Sequence, residues 1–414
     1  MANLVIRLLQ QLIPPLLLSY FYFAWKIATF EVGPNLISNS TSGPIIGYLY
    51  VILPSLLIVP TTLSFLRLYF LPSVQSVPPL DPPLLIQDKK IIFECLSPAE
   101  AKIIRLANDE EHDDDEPLVE RCYKGECGGR WKPARTRHCN TCERCRGGWD
   151  HHCPIFANCL TAPYMRSFLA LLLYTLPTVT IISLPLYKPL WTRCREAYTL
   201  SWTNEYIRQN WWEWRYSWIV AGGPIGRYAG GTFLGWKELD KIDEDSILRL
   251  NVGLMVLLGI ILALISAGLA YTTISLLIKG NLTIDRGRST AHNQALMAIR
   301  RLQLQNQSIP AKLEANLAKF SDQRYFFVPL PLTEGQLGRK GKIVETLPHE
   351  RPYDHGLKKN LHIVLGRGWK WILPWNALRR GMDDEVFMWP IQDGVERRLR
   401  EEAQRRFQEG DESR

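Results

Sequence analysis

The chain has 414 residues, 49 Lys+Arg against 41 Asp+Glu and a formal net charge of +8. With 11% aromatic residues it is no disordered chain, and nine cysteines are too few for a disulfide-dense scaffold. The mean hydropathy of −0.09 suits a soluble protein, but it averages over a strongly segregated sequence. Four stretches carry no charged residue: Leu8 to Trp25, Val32 to Leu66, Ser167 to Tyr187 and Leu250 to Ile278. A helix needs about 20 apolar residues to cross the hydrocarbon core. The reading is therefore a polytopic α-helical membrane protein with four spans. The first stretch is short and holds Pro14 and Pro15. A signal peptide is its alternative reading, but no small-residue cleavage site is evident and a second span follows directly.

In chain order this predicts two N-terminal spans over 1–66, joined by a short loop from Ile27 to Gly43 that has no Lys or Arg. That loop holds an Asn39-Ser40-Thr41 glycosylation sequon and is expected on the lumenal side. Residues 67–166 carry 14 Lys/Arg and the tail 279–414 carries 24, so both, with the N-terminus, are expected in the cytosol. Residues 167–278 give spans three and four around a connection, 189–248, that holds seven of the 14 tryptophans. It is expected on the lumenal side, either resting on the leaflet through its aromatics or packed as a small subdomain. The prolines of Val77 to Leu84 are expected to stiffen the exit from span two. The acidic run Asp109 to Glu116 reads as a solvated linker. Ala291 to Leu304 suits an amphipathic interfacial helix or a short soluble one, and the charged stretch Val395 to Arg414 an exposed helix or disorder.

Seven of the nine cysteines lie between Cys122 and Cys159, with His138, His151 and His152 among them. In the cytosol disulfides are disfavoured, and C-x2-C pairs with nearby Cys and His suit tetrahedral zinc. Two Cys3His sites would use eight of these ten candidates, leaving one Cys and one His. An unligated Cys beside an unligated His is the composition of an activated thiolate pair. Asp150 precedes His151 and could orient it as the third member of a triad. Spacing alone does not say which Cys is spare, and a purely structural zinc module stays open at this point.

Asp150-His151-His152-Cys153, in a cysteine-rich loop between the second and third of four spans, resembles the DHHC protein S-acyltransferases (palmitoyltransferases), in a divergent, fungal-like form. The resemblance is close over 122–168, and Lys132-Pro133-Ala134-Arg135 matches the family's basic-Pro-x-Arg element. It implies two interleaved structural Zn²⁺ sites, one of Cys122, Cys127, His138 and Cys145, the other of Cys139, Cys142, His152 and Cys159. It further implies Cys153 as the acyl-accepting nucleophile, His151 as base and Asp150 as its orienting partner. Acyl-CoA (palmitoyl-CoA) would be the co-substrate, with Lys132, Arg135 and Arg137 for its phosphates. Implied partners are cytosolic or membrane-associated proteins with reactive cysteines and the lipid bilayer, without nucleic acid. An endomembrane location, ER or Golgi, goes with the family.

The sequence departs from the family in places. Cys122 and Cys127 are spaced C-x4-C where C-x2-C is usual, and Ile155-Phe156 stand where Trp-Val is common. Thr161 and Tyr164 replace a usual Gly and Asn. Leu282-Thr283-Ile284-Asp285 is a degenerate Thr-Thr-x-Glu, and Pro352 to Trp375 looks like the C-terminal aromatic-and-Asn element, with Asn360 in the expected role. The competing functional class is a membrane-anchored zinc-binding scaffold or adaptor, which has no need of an unligated Cys153 beside His151.

Overall fold

The computed structural model describes residues 2–39, 44–71, 76–88, 91–108, 117–244, 246–311, 313–314, 317, 320–321, 323–330, 341–379, 381–382 and 386–412. The acidic run 109–116 and residues 40 and 41 of the sequon lie outside them. The larger elements, in chain order, are α1 (Ala2–Lys26), α2 (Pro44–Phe70), β1 (Phe93–Cys95), β2 (Arg121–Cys122), β3 (Arg130–Trp131), β4 (Arg137–Cys139) and β5 (Arg144–Arg146). They continue with β6 (Trp149–Cys153), β7 (Asn158–Thr161), α3 (Met165–Thr203), α4 (Pro224–Ile242), α5 (Leu250–Ile278) and α6 (Thr283–Leu304). The chain closes with β8 (Tyr325–Pro329), β9 (Gly341–Glu345), α7 (Leu357–Leu365) and α8 (Asp393–Glu412). Among the described residues α2, α3 and α5 are the three helices long and apolar enough to cross a membrane. α1 is helical through Pro14 and Pro15 but does not join that set.

Two compact units form. One comprises 11–65 and 170–271. Its core gathers Ala24, Ile27, Ala28, Val32, Tyr50, Ile182, Leu186, Trp236, Val252 and Met255. Helix carbonyls inside it receive hydroxyls: Tyr50 Oη donates to Ile182 O at 3.0 Å and Tyr20 Oη to Met255 O at 3.2 Å. The stretch expected as a Trp-rich loop is largely helical. α3 runs through to Thr203, beyond the apolar stretch that ends at Tyr187, and α4 returns beside it. Gly235 permits this approach, since a Cβ there would meet Ala197 O at 2.0 Å. Arg193 lies 3.2 Å from Asp243, and Trp202 stacks on buried Trp212 at 4.2 Å. The connection thus packs around Trp212 and Trp236, while Trp191, Trp214 and Trp218 stay exposed.

The other unit comprises 1–10, 66–169 and 272–414. It holds three two-stranded ribbons, β2–β3, β4–β5 and β6–β7, and an antiparallel sheet of order β1–β8–β9. Phe93 pairs with Phe327 in that sheet, and their rings lie 5.5 Å apart in a small core with Ile86 and Trp131. The sequence reading found none of these strands. Segments of three to five residues are too short for an alternating pattern to register. α8 packs on β9, with Arg406 paired to Glu345 at 2.8 Å.

Candidate active site

The ribbons exist to converge cysteines. In β4–β5, His138 stands opposite Cys145, and β2–β3 brings in Cys122 beside the short 3₁₀ turn Gly125–Cys127. Gly125 takes φ +54°, and a Cβ there would approach Glu143 O at 3.1 Å. This turn absorbs the extra residues of the C-x4-C spacing. Cys122, Cys127, His138 and Cys145 come together as one set; Cys139, Cys142, His152 and Cys159 form the other. These are the two ligand sets implied by the resemblance, interleaved along the chain. None of the nine cysteines is in a disulfide.

Both sets have the dimensions of a tetrahedral zinc site. With Zn–S about 2.3 Å and Zn–N about 2.0–2.1 Å, tetrahedral edges come to about 3.6 Å for S···N and about 3.8 Å for S···S. His138 Nδ1 lies 3.6 Å from Cys122 Sγ and 3.4 Å from Cys127 Sγ. His152 Nδ1 lies 3.6, 3.5 and 3.7 Å from the sulfurs of Cys139, Cys142 and Cys159, and Cys142 Sγ is 3.6 Å from Cys159 Sγ. The chemistry of the donors, three thiols and one imidazole in each set, fits the same ion.

Cys153 belongs to neither set. It ends β6, where alternation places residues 151 and 153 on one face and 152 on the other. One strand thus sends His152 to a metal set and presents His151 and Cys153 together. A bulge between Trp149 and His151 breaks the register and lets neighbouring side chains meet: Asp150 Oδ2 lies 2.7 Å from His151 Nδ1. The other carboxylate oxygen of Asp150 accepts the backbone N–H of Thr283, at 2.9 Å, in the first turn of α6. A carboxylate at a helix N-terminus is favourably placed. Burial alone would lower the pKa of His151, but hydrogen bonds to Asp150 and Cys153, with their charges, push it up to about 9. Phe168 stands edge-on to His151 at 6.1 Å, and Phe156 packs against Phe168. Cys153 is 5% exposed and Asp150 likewise, while His151 is the more open of the three.

The hairpin is tied to the ends of helices. Buried Asn158, paired with Cys153 across β6–β7, donates to Leu68 O at 3.3 Å and Tyr69 O at 2.9 Å in the last turn of α2. Sequence reasoning passed over Asn158; a polar residue between apolar neighbours in a short strand was the available signal. Asn360 donates to Ile278 O at 2.9 Å and to Asp354 Oδ1 at 2.8 Å, and accepts from His355 N.

The three basic residues assigned to CoA part company. Arg137 is exposed, its guanidinium 4.8 Å from the Trp149 ring centroid, and Lys132 pairs with Glu120. Arg135 is turned inward: its side chain is 4% exposed, pairs with Asp285 at 2.9 Å and lies over the rings of Tyr353 and Trp389. Asp285 also receives Arg324 at 3.2 Å, and Arg324 grips Glu94 with contacts of 3.0 and 3.1 Å. Tyr353 Oη donates to Glu94 at 2.7 Å. The degenerate Leu282-Thr283-Ile284-Asp285 is therefore a junction, with Thr283 on Asp150 and Asp285 on two arginines.

Residues 119–295 match the family model described as DHHC palmitoyltransferase. The chain carries a DHHC domain. Within curated proteins, this chain is 32% identical over 123 residues to palmitoyltransferase PFA3 of Saccharomyces cerevisiae, a match covering 29% of this chain and 35% of that protein. It is 33% identical over 134 residues to palmitoyltransferase spe-10 of Caenorhabditis elegans, covering 30% and 34%. It is 40% identical over 68 residues to palmitoyltransferase PFA3 of Candida glabrata, covering 14% and 20%. The chain thus spans about a third or less of these relatives. The DHHC domain holds both cysteine sets, the Asp150–Cys153 strand and the first half of α6.

Proposed function

We propose that the protein is a protein-cysteine S-palmitoyltransferase. The observation that carries this reading is that Cys153 is the one cysteine of the cluster outside both metal sets and shares a strand face with His151. A scaffold built on zinc alone gives no use for that pair. Cys153 passes its proton to His151 and the thiolate attacks the carbonyl carbon of acyl-CoA. The C–S bond to CoA breaks, and CoA leaves as the thiol with the proton from His151. His151 then takes the proton of a substrate cysteine, whose thiolate attacks the acyl-enzyme. Cys153 departs and is reprotonated. One thioester replaces another at each step, so bond types balance and no oxidant or nucleotide is needed. Asp150 holds the imidazole and favours its charged form.

The two zinc ions would be structural, each held by the residues named above, and they supply fixed geometry to the short strand carrying Cys153. Lys132 and Arg137 meet the CoA phosphates, and Arg135 supports them by fixing the loop through Asp285. We further propose four spans, α1 with α2, α3 and α5, with both termini and the DHHC loop in the cytosol and the membrane that of the ER or Golgi. Burying a long acyl chain contributes roughly 10 kcal/mol at about 0.8 kcal/mol per CH₂, which is the reason for a membrane-embedded enzyme. Incubation of purified protein with labelled palmitoyl-CoA tests the reading. Wild type forms a hydroxylamine-labile acyl-enzyme; label retained by Cys153→Ser overturns the assignment.

A further inference from the structure

From His355 to Met382 the chain has six Lys/Arg, no Asp or Glu, and three tryptophans. Some exposed cations elsewhere in the tail have acidic partners, such as Lys359 with Asp393, Arg400 with Glu396 and Arg405 with Glu402. Arg367, Lys370 and Arg379 do not: all three are exposed, and no ion pair among the described residues engages them. Beside them Trp369 is 67% and Trp375 61% exposed. Indole rings left in water next to unpaired cations are costly unless something covers both.

The position of this segment says what covers it. It is fastened to the beginning of α3, where the apolar run starts: Ser167 Oγ donates to Ala377 O at 2.7 Å and Gly381 N to Pro163 O at 2.8 Å. Close approach is built in at Gly381, where a Cβ would meet Val364 O at 2.5 Å. The segment is therefore held at the level where a membrane-crossing helix leaves the bilayer. Tryptophan prefers that boundary, and Lys and Arg there meet lipid phosphates. We propose that residues 366–379 form a docking surface for anionic lipid headgroups in the leaflet on the side of the DHHC domain. Trp369 and Trp375 enter the interface, and Arg367, Lys370 and Arg379 bind headgroup phosphate or carboxylate. This rests on the reading of α3 as a span.

The test uses the full chain reconstituted in nanodiscs of phosphatidylcholine alone or with about 30% phosphatidylserine, followed by amide hydrogen exchange. Exchange over 366–379 is expected to slow about fivefold or more on the anionic discs and to recover at about 1 M salt, where the screening length is about 3 Å. Replacing Arg367, Lys370 and Arg379 by Gln should abolish the lipid dependence, and Trp369→Ala with Trp375→Ala should raise exchange on both discs. Unchanged exchange in β8 and β9 shows that these variants fold. Equal exchange on the two discs overturns the proposal. So does slowing produced by free CoA on phosphatidylcholine discs without any effect of phosphatidylserine, which would assign the cations to nucleotide phosphate. Acyl labelling of Cys153 is read in the same samples. A chain that does not label but is protected on anionic discs rejects the enzyme reading and keeps this one.

Discussion

Asp150 is shared between two tasks, with one oxygen on His151 and the other on the Thr283 N–H. Asp150→Asn keeps the size of the side chain and removes its charge. The expected outcome is a fall of about 10²–10⁴-fold in the acyl-enzyme formation rate, with two zinc ions per chain unchanged by metal analysis. Asn158 also has two partners at the end of α2, and Asn158→Ala leaves their carbonyls unmet. A stability loss of about 1–3 kcal/mol is expected, seen as a lower unfolding temperature in detergent. The Cys/His cluster was legible in the sequence because its residues are chemically rare and closely spaced, whereas its division into two sets and a spare Cys153 rested on the family resemblance. Thr283 was not legible as a partner of Asp150, because it contributes a backbone N–H that any residue supplies.

At the scale of elements, a one-turn device accommodates the lengthened cysteine spacing. The Gly125–Cys127 turn returns Cys127 to within 3.4 Å of His138 Nδ1, so the extra residues are looped out. Cys127→Ala should lower zinc content from two ions to one, whereas Cys153→Ser should keep two; equal content in both variants would contradict the division between metal-binding and free cysteines. The alternation in β6 separates His152 from the His151–Cys153 pair, but a strand of five residues shows it only through its pairing with β7. The pairing of β1 with β8 was not legible either: its partners are more than 200 residues apart, and three-residue strands carry no periodic signal.

The unit that holds the cysteine sets is cross-braced by Glu94, Arg324, Asp285, Arg135 and Tyr353, drawn from five separate stretches of the chain. Arg324→Met leaves two carboxylates without their shared cation and should cost about 3–5 kcal/mol. Burial alone would raise the pKa of Glu94, but the charges of Arg324 and Arg288 and the Tyr353 and Arg324 hydrogen bonds hold it below the ordinary carboxyl value. The folded state therefore binds this proton less readily than the unfolded one. The stabilisation is complete above the unfolded pKa of about 4.3 and is lost as pH falls through the lower folded value. Unfolding curves between about pH 6 and pH 3 should show this acid sensitivity weakened in Glu94→Gln. Three of the four uncharged stretches coincide with helices long and apolar enough to cross a membrane, while this brace was hidden because its members are ordinary surface residue types until the fold collects them.

The order of the strands also sets a clock. β1 is translated well before β8, its hydrogen-bonding neighbour, and two apolar helices are made between them. At about 5–20 residues per second the exposed edge of β1 waits roughly 12–50 s for its partner. During that interval Asp150 waits for Thr283, and Glu94 for Arg324. Until translation has passed the start of α6, the second carboxylate oxygen of Asp150 lacks its backbone partner. A chain stopped before Tyr325 should load zinc yet show β1 exposed to protease; protection equal to that of the full chain would show that the edge is covered some other way.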